Sequence, residues 1–132
     1  WRTIISKFRT EELIIGGKSM GGRIASIIAD KEKPNGLVCL GYPFHKPGNL
    51  ENPRVEHLRT IKTPTLICQG TRDPFGTKSE ADSYQLSKKI SFQWLQDGDH
   101  SFKPRKRSGH TEFDNLATSV KAIKAFVCKI FN

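Results

Sequence analysis

LIIGGKSMGGRIASII, residues 13–28, decides the fold of this chain. The apolar run at its start, Leu-Ile-Ile at residues 13–15, has the length and composition of a buried strand. A glycine-rich segment follows, and after it Ile24, Ile27 and Ile28 fall on one side of a helix. The stretch therefore predicts a strand, a tight turn and a helix.

The turn itself reads Gly-Lys-Ser-Met-Gly at residues 17–21, a G-x-S-x-G sequence between a strand and a helix. This is the context of a nucleophile elbow, in which a sharp and strained turn lifts a serine hydroxyl clear of the sheet. We expect Gly17 and Gly21 to be required, because side chains two positions before and two positions after Ser19 would clash. The start of the helix would supply backbone N–H groups and a positive dipole end where an oxyanion forms.

Two other interpretations of this turn must be considered. Gly17-Lys18-Ser19 ends like a phosphate-binding P-loop, but that motif needs a glycine five residues before Gly17, where this chain has Glu12. The P-loop is therefore excluded. The remaining alternative is a glycine-rich connection with an incidental serine, so the residues downstream must decide.

The composition is that of a soluble globular protein. The chain has 132 residues, 36% of them hydrophobic and 27% charged, and we expect one domain over residues 1–132. No apolar run is long enough to cross a membrane, and no signal peptide is evident. Because Trp1 stands where an initiating methionine would be, we expect the chain to begin inside a longer protein.

The cysteines indicate the cellular compartment of the protein, and the net charge limits the classes of partner that it can bind. The three cysteines lie in apolar segments without metal-binding spacing, which favours reduced core thiols in a cytoplasmic protein: Cys39, Cys68 and Cys128. The net charge of +9 indicates a solvated basic surface or attraction to anionic substrates, nucleic acid or acidic partners. Nucleic-acid binding is disfavoured, because aromatic residues are not interleaved with the basic ones and no binding motif is present.

Helices and strands are predicted to alternate along the rest of the chain. Further strands are predicted at residues 36–41, 64–70 and 90–95, and the alternating pattern of the last one is typical of a sheet edge. Helices are predicted at residues 1–8, 55–59 and 77–86, and residues 9–12 lead from the first helix into the first strand. A final helix is capped by Thr111 and carries a core-facing apolar stripe, namely Phe113, Leu116, Val120, Ile123, Val127 and Ile130. This order predicts an α/β fold with a parallel sheet and helices on both faces.

Three chemically competent side chains follow the ends of three predicted strands. Ser19 follows the first strand, Asp73 the third and His100 the fourth. Since parallel strands end at one edge of a sheet, we expect these side chains to meet there. Their order is that of a Ser-Asp-His triad built on a nucleophile elbow. His100 would take the proton of Ser19, and Asp73 would orient the imidazole and support its charge.

Other residues compete for these roles. Asp97 and Asp99 are rival carboxylates, but they lie too near His100 in sequence to match the usual position of the acid. The remaining histidines could equally be surface residues, and they do not directly follow the last strand: His45, His57 and His110. A metal site in the segment 97–100 lacks a matching group of ligands elsewhere, so we expect no metal and no cofactor.

Four segments carry a resemblance to a known family: GGKSMGGR at residues 16–23, GYPFHKPG at 41–48, QGTRDPFG at 69–76 and DGDHSFKPRKRSG at 97–109. The chain resembles α/β hydrolases of the dienelactone-hydrolase-like kind. It is most similar to the predicted-hydrolase family that includes a subunit of a eukaryotic nonspecific-lethal histone acetyltransferase complex. The resemblance covers nearly the whole chain but only the C-terminal part of the family fold, so the N-terminal strands would be absent.

The resemblance implies a serine hydrolase that acts on an ester or related acyl bond, with Ser19, Asp73 and His100 as nucleophile, acid and base. It also implies that the absent N-terminal strands carry a second oxyanion donor, which leaves the N–H of Met20 as the donor in this chain. Dienelactone hydrolases proper use a cysteine nucleophile, so the serine here argues against that particular substrate. The chromatin-complex relative implies an alternative, a non-catalytic protein-interaction module.

Two expectations concern what the chain binds. Lys18 and Arg23 flank Ser19, and a basic segment follows His100, so the site is either cationic and suited to an anionic acyl substrate or simply surrounded by solvated charges. The edge beside the first strand would be apolar and unpaired without N-terminal strands, which favours self-association.

Overall fold

Within residues 1–8 and 12–132, which the computed structural model describes, four parallel strands form one sheet. In spatial order they are β1 (Ile14–Lys18), β2 (Gly36–Leu40), β3 (Thr65–Gly70) and β4 (Ile90–Leu95). The predicted parallel α/β sheet is confirmed. Of the predicted connection at residues 9–12, residues 9–11 lie outside the described part of the chain.

Helices alternate with these strands and cover both faces of the sheet. They are α1 (Arg2–Lys7), α2 (Met20–Glu32), α3 (Glu56–Thr60), α4 (Lys78–Ser83) and α5 (Glu112–Phe131). One core contains buried residues of the first four helices, such as Ile5, Ala25 and Leu58, against one face of the sheet. A second core on the other face joins Leu66 and Cys68 to α5. The predicted two-sided arrangement is therefore confirmed.

The register of the sheet places the carboxyl ends of its strands together. Lys18 pairs with Leu40 at the ends of β1 and β2, and Gly70 pairs with Leu95 at the ends of β3 and β4. The segments that follow these ends therefore emerge at one edge of the sheet. This is the edge at which the sequence predicts the functional residues.

The buried face of α2 differs from the predicted isoleucine face. The residues that turn inward are small, namely Gly22, Ala25, Ser26 and Ala29. Of the three predicted isoleucines, Ile24 and Ile27 are 41% and 50% exposed, whereas Ile28 is partly buried against the core. The reason is the close approach of the helix to the sheet, since a Cβ on Gly22 would lie 2.6 Å from the carbonyl oxygen of Gly17.

The predicted apolar stripe of α5 is wrong in its first half. Phe113 and Val120 are 76% and 65% exposed, whereas the neighbouring polar residues Asn115 and Ser119 are buried. The amide of Asn115 explains this rotation, because its Nδ2 donates to the carbonyl oxygens of Gln96 and Phe102 at 3.1 and 2.7 Å. Hydrogen bonds to the neighbouring loop thus set the face of the helix that turns inward.

Two smaller expectations need correction. Helix α4 begins at the predicted capping box of Thr77 and Glu80, but it ends at Ser83 and not at residue 86. The backbone turns at Gln85, which has a φ of 49°, and this lets Leu86 pack against the core. Of the cysteines predicted to be core thiols, Cys39 and Cys68 are buried, but Cys128 is exposed.

The two edge strands of the sheet are β4 and β1. The alternating pattern of β4 predicts its position at an edge. Self-association through the edge of β1 stays a prediction. Across the described residues, no helix combines the length and apolar character that crossing a bilayer requires.

The small face of α2 gives the first testable prediction. Because Ala29 is fully buried, Ala29→Leu should overpack the contact with the sheet and lower the free energy of unfolding by about 1–3 kcal/mol. The control Ile27→Ala, on the exposed side of the same helix, should change it by no more than about 0.5 kcal/mol. Urea unfolding followed by circular dichroism measures both. A larger effect at Ile27 would contradict the assignment of the buried face.

Candidate active site

Ser19 stands in a strained turn between β1 and α2. Its φ of 50° and ψ of −118° lie in a region that L-residues rarely adopt. Its N–H donates to the carbonyl oxygen of Leu40 at 2.9 Å, and its own carbonyl accepts from the N–H of Arg23 at 3.0 Å. The backbone of Ser19 is therefore fixed on both sides, by the neighbouring strand and by the first turn of the helix.

The glycines around Ser19 do not share one role. A Cβ on Gly17 would lie 2.6 Å from the backbone carbon of Gly21, so the helix can pass only if residue 17 is glycine. A Cβ on Gly21 would meet nothing within 4 Å. The expectation of a clash at Gly21 is therefore wrong, and Gly22, which packs on Gly17 and Cys39, is the second position that needs a hydrogen as its side chain.

His100 connects Ser19 to Asp73. Its Nε2 lies 2.9 Å from Oγ of Ser19, and its Nδ1 lies 2.8 Å from Oδ2 of Asp73. A carboxylate only accepts hydrogen bonds, so the proton of the neutral imidazole belongs on Nδ1. The lone pair of Nε2 then faces the hydroxyl of Ser19. The structure brings together all three residues that the sequence selects, in the arrangement that the sequence predicts.

Asp73 is fully buried and held by several donors. Its Oδ2 also accepts from Nε2 of Gln69 at 3.0 Å, and its Oδ1 accepts from the N–H of Phe75 at 2.9 Å. Burial raises the pKa of the Asp73 carboxyl above its usual value, while the N–H of Phe75 and the imidazole of His100 act in the opposite direction. The hydrogen bonds, and not solvent, therefore stabilise the charged form of this carboxyl.

Gln69 is a functional residue that sequence reasoning missed. Besides Asp73, its Nε2 donates to the carbonyl oxygens of Tyr42 and Gly76, both at 3.1 Å, and its Oε1 accepts from the N–H of Tyr42 at 2.7 Å. This one buried amide therefore ties the loop after β2 to the loop that carries Asp73. The signal in the sequence is a large polar side chain inside an otherwise apolar strand.

The loop that carries His100 is organised by contacts on both sides of the histidine. Oδ1 of Asp99 accepts from the N–H groups of Ser101 and Lys103 at 2.8 and 3.0 Å. The carbonyl oxygen of His100 accepts from Nζ of Lys18 at 3.0 Å, and the ring of Phe75 lies 4.3 Å from the imidazole. The side chains of Asp99 and Lys18 thus hold the loop that presents the imidazole to Ser19.

Asp97 clamps the loops after β3 and β4 together. Its carboxylate binds the guanidinium of Arg105 through both oxygens and lies 2.9 Å from Nε of Arg72, the neighbour of Asp73. The Arg105 guanidinium holds the pKa of the Asp97 carboxyl well below its usual range. Asp97 and Asp99, the rival carboxylates, are therefore engaged with arginines and backbone N–H groups and not with the imidazole of His100.

The other histidines have partners of their own. His45 lies 2.7 Å from the carbonyl oxygen of Lys46 and 3.3 Å from Glu80, and Nε2 of His57 lies 2.8 Å from Oγ of Ser26. Among the described residues, no hydrogen bond joins His45, His57 or His110 to Ser19. Burial, followed by the charge of Arg23, lowers the pKa of His57 below its usual value.

The predicted substrate-binding cations lie in different environments. Lys18 is held by the carbonyl of His100, and Arg105 by Asp97. Arg23 is different, because its Nε is buried and has no hydrogen-bond partner among the described residues. Its charge acts on Tyr42 and His57, neither of which carries a carboxylate. Arg23 therefore differs from Lys18 and Arg105 in having a buried guanidinium nitrogen without an acceptor among the described residues.

Met20 is the first residue of α2, so its N–H has no acceptor within the helix.

Metal and thiol chemistry have less support at this site. The described residues contain no group of three or more histidine, cysteine or acidic side chains that could hold a metal ion. Burial raises the pKa of Cys39 to about 12 and that of Cys68 to about 11, so both thiols are protonated at neutral pH.

The contrast between Gly17 and Gly21 predicts two opposite outcomes. Gly17→Ala forces backbone apart at the turn and should lower the free energy of unfolding by about 1–3 kcal/mol. Gly21→Ala meets open space in the first turn of a helix and should leave stability unchanged or raise it by up to about 1 kcal/mol. Thermal and urea unfolding of the two variants measure this difference, and equal losses would show that the turn is not packed as described.

Solved structures with the same fold include several α/β hydrolases. The chain superposes on an alpha-beta serine hydrolase homologue from Coxiella burnetii with a TM-score of 0.64 at 17% identity, covering 97% of this chain and 53% of that one. The esterase domain of a Rhodothermus marinus protein gives 0.60 at 17% identity, with 94% and 64% covered. MGS-MChE2, an alpha/beta hydrolase enzyme from a sediment metagenome of the Mar Chica lagoon in Morocco, gives 0.62 at 19%, with 94% and 67% covered. The chain therefore spans about half to two thirds of the length of these structures.

A family model agrees with this likeness of fold. The model of the alpha/beta hydrolase domain matches residues 1–128, which is nearly the whole chain. The parallel sheet, the strained serine turn and the matched family lead to one conclusion: the chain belongs to the α/β-hydrolase family.

Proposed function

We propose that this protein is a serine hydrolase that cleaves an ester or a related acyl bond, with Ser19 as its nucleophile. The observation that carries the proposal is the 2.9 Å distance between Oγ of Ser19 and Nε2 of His100, at a serine whose φ is 50°. A strained backbone is kept where the surroundings enforce it, and such strain clusters at functional sites. An incidental serine in a glycine-rich turn would need neither the strain nor the imidazole.

In the proposed mechanism, Nε2 of His100 accepts the hydroxyl proton as Oγ of Ser19 attacks the acyl carbon. Asp73 stabilises the imidazolium that results and holds its Nδ1 proton in place. The N–H of Met20 donates to the oxyanion of the tetrahedral intermediate. His100 then gives its proton to the leaving alcohol, and water activated by the same imidazole hydrolyses the acyl-enzyme, which regenerates Ser19.

Within the family, we place the chain among the dienelactone-hydrolase-like members and near the hydrolase-like subunit of the nonspecific-lethal complex. The four segments at residues 16–23, 41–48, 69–76 and 97–109 support this placement. The serine nucleophile argues against the particular substrate of the cysteine enzymes. The three free cysteines support a reducing compartment, and hence a cytoplasmic protein.

Labelling with a serine-reactive fluorophosphonate tests the nucleophile. The wild-type protein should be labelled at Ser19, and Ser19→Ala should abolish labelling because, within residues 1–8 and 12–132, no other hydroxyl is hydrogen-bonded to His100. Asp73→Asn should lower kcat by on the order of 10⁴-fold, since the wrong imidazole tautomer would face Ser19. Mass spectrometry of the labelled peptide and ester hydrolysis measure the two effects.

Ser101→Ala is the matched control, because Ser101 lies in the same loop as His100 and only its backbone N–H has a structural partner. It should be labelled at the wild-type rate. Equal labelling of Ser19→Ala and wild type would refute the assignment. A wild-type protein that resists labelling would favour the alternative, a non-catalytic interaction module.

We further propose that the substrate is anionic and that Arg23 is the residue that binds its charge. The partial burial of Arg23 supports this, since its Nε has no partner among the described residues and a substrate carboxylate at the accessible part of the side chain would place a negative charge beside the guanidinium. Lys18 stays in the proposal as the second cation, although its Nζ also holds the loop of His100.

A pair of esters that differ only in a terminal carboxylate or carboxamide tests the substrate charge. The carboxylate ester should have the higher kcat/KM, by about tenfold, the factor that one charge-assisted hydrogen bond of about 1.4 kcal/mol supplies. Arg23→Gln should remove most of this preference, whereas Lys121→Gln, an exposed control in α5, should keep it. The preference should shrink as salt is added. Equal kcat/KM for the two esters at low salt would contradict the assignment of Arg23.

A further inference from the structure

A groove of about 720 Å³ lies between β4 and α5, far from Ser19. It is lined by residues at the amino ends of the strands, among them Pro64 and Ile90, whereas Ser19 follows a carboxyl end. Its apolar lining includes Leu66, Ala122, Phe126 and Ile130. The groove thus belongs to neither the proposed mechanism nor the proposed substrate site.

The groove exists because small or polar side chains stand where large apolar ones would fill it. Ser91 pairs with Leu66 in the sheet and therefore points toward α5, as Leu66 does. The helix opposite presents Ala122 and Ala125. Sheet and helix thus leave a channel that opens along the edge of β4.

The backbone of β4 leaves groups at this edge that can pair with another strand. The carbonyl oxygens of Lys89 and Leu95 accept hydrogen bonds from the side of β3. Because backbone groups alternate along a strand, the even-numbered residues between them direct their N–H and C=O groups away from β3. Among the described residues, the amide of Gln93 reaches the carbonyl oxygen of Trp94 at 3.0 Å, and none reaches the backbone N–H or C=O of Phe92. β4 therefore offers a template for strand addition.

The rim of the groove is positively charged. Lys88, Lys89 and Lys129 line it, and its lining includes no aspartate or glutamate. Within the described part of the chain, none of these three lysines forms an ion pair. Apolar surface, open backbone groups and unpaired cations thus coincide at one place.

We propose that this groove docks an extended acidic segment of a partner protein, which adds a strand to β4. Alternate side chains of the segment would enter the apolar groove, and its carboxylates would lie on the three lysines. A second copy of this chain fits poorly, because two-fold symmetry would set the same lysines against one another. An anionic lipid would use the lysines but not the backbone groups of Phe92.

Fluorescence anisotropy tests the proposal with a labelled peptide of alternating valine and glutamate as the probe. The triple variant K88E, K89E and K129E should weaken binding at least tenfold. A control triple of exposed lysines outside the groove, K31E, K121E and K124E, makes the same change in net charge and should weaken it less than threefold. Ala125→Phe fills the groove without altering charge and should also abolish binding, while its circular dichroism stays that of the wild type.

Two further measurements separate strand addition from simple charge attraction. The same peptide with alternate amides N-methylated keeps its carboxylates but cannot pair as a strand, and it should not bind. Hydrogen exchange at the amide of Phe92 should slow when the unmodified peptide binds. Equal losses in the two lysine triples, or equal binding of the N-methylated peptide, would overturn the proposal. Two other results would also overturn it. One is that the groove binds oleate, an anionic lipid, but not the peptide, and the other is that the wild-type protein forms dimers that Ala125→Phe dissociates.

Discussion

The close approach of α2 to the ends of β1 and β2 is the constraint on which the rest of the site depends. Because Gly17 and Gly22 have no Cβ, the backbone of the helix can lie in contact with the backbone at the end of β1. That approach forces Ser19 into a left-handed conformation and aims its side chain away from the sheet. The exposed isoleucines of α2 follow from the same cause, because only small residues fit on the side that faces the strands.

A second level of order fixes the partners of Ser19. Gln69 ties the loop of Asp73 to the loop after β2, Asp97 ties it to the loop after β4, and Asp99 folds the loop that presents His100. Hydrogen bonds within and between these loops therefore hold the three side chains in place. Such preorganisation is what electrostatic stabilisation of a transition state requires.

The sequence predicted those parts of the molecule that strand ends dictate. Ser19, Asp73 and His100 could be selected because parallel strands deliver their following loops to one edge. The inward faces of α2 and α5 could not be predicted from apolar periodicity, since backbone proximity decided the first and the amide of Asn115 the second. The role of Gln69 was hidden for a similar reason. Its partners come from two separate loops, and no local pattern records that they meet.

The clamp at Asp97 also governs how acidity acts on this site. A carboxyl group whose pKa is depressed in the folded protein stabilises the fold above its ordinary pKa of 3.8, and that contribution is lost only as pH falls toward the lower folded value. Both arginines stay charged throughout. The clamp is therefore closed over the whole range, near pH 5 to 8, in which histidines ordinarily exchange protons. Loss of the proposed activity within that range would therefore have a cause other than opening of this clamp, since the two loops stay joined.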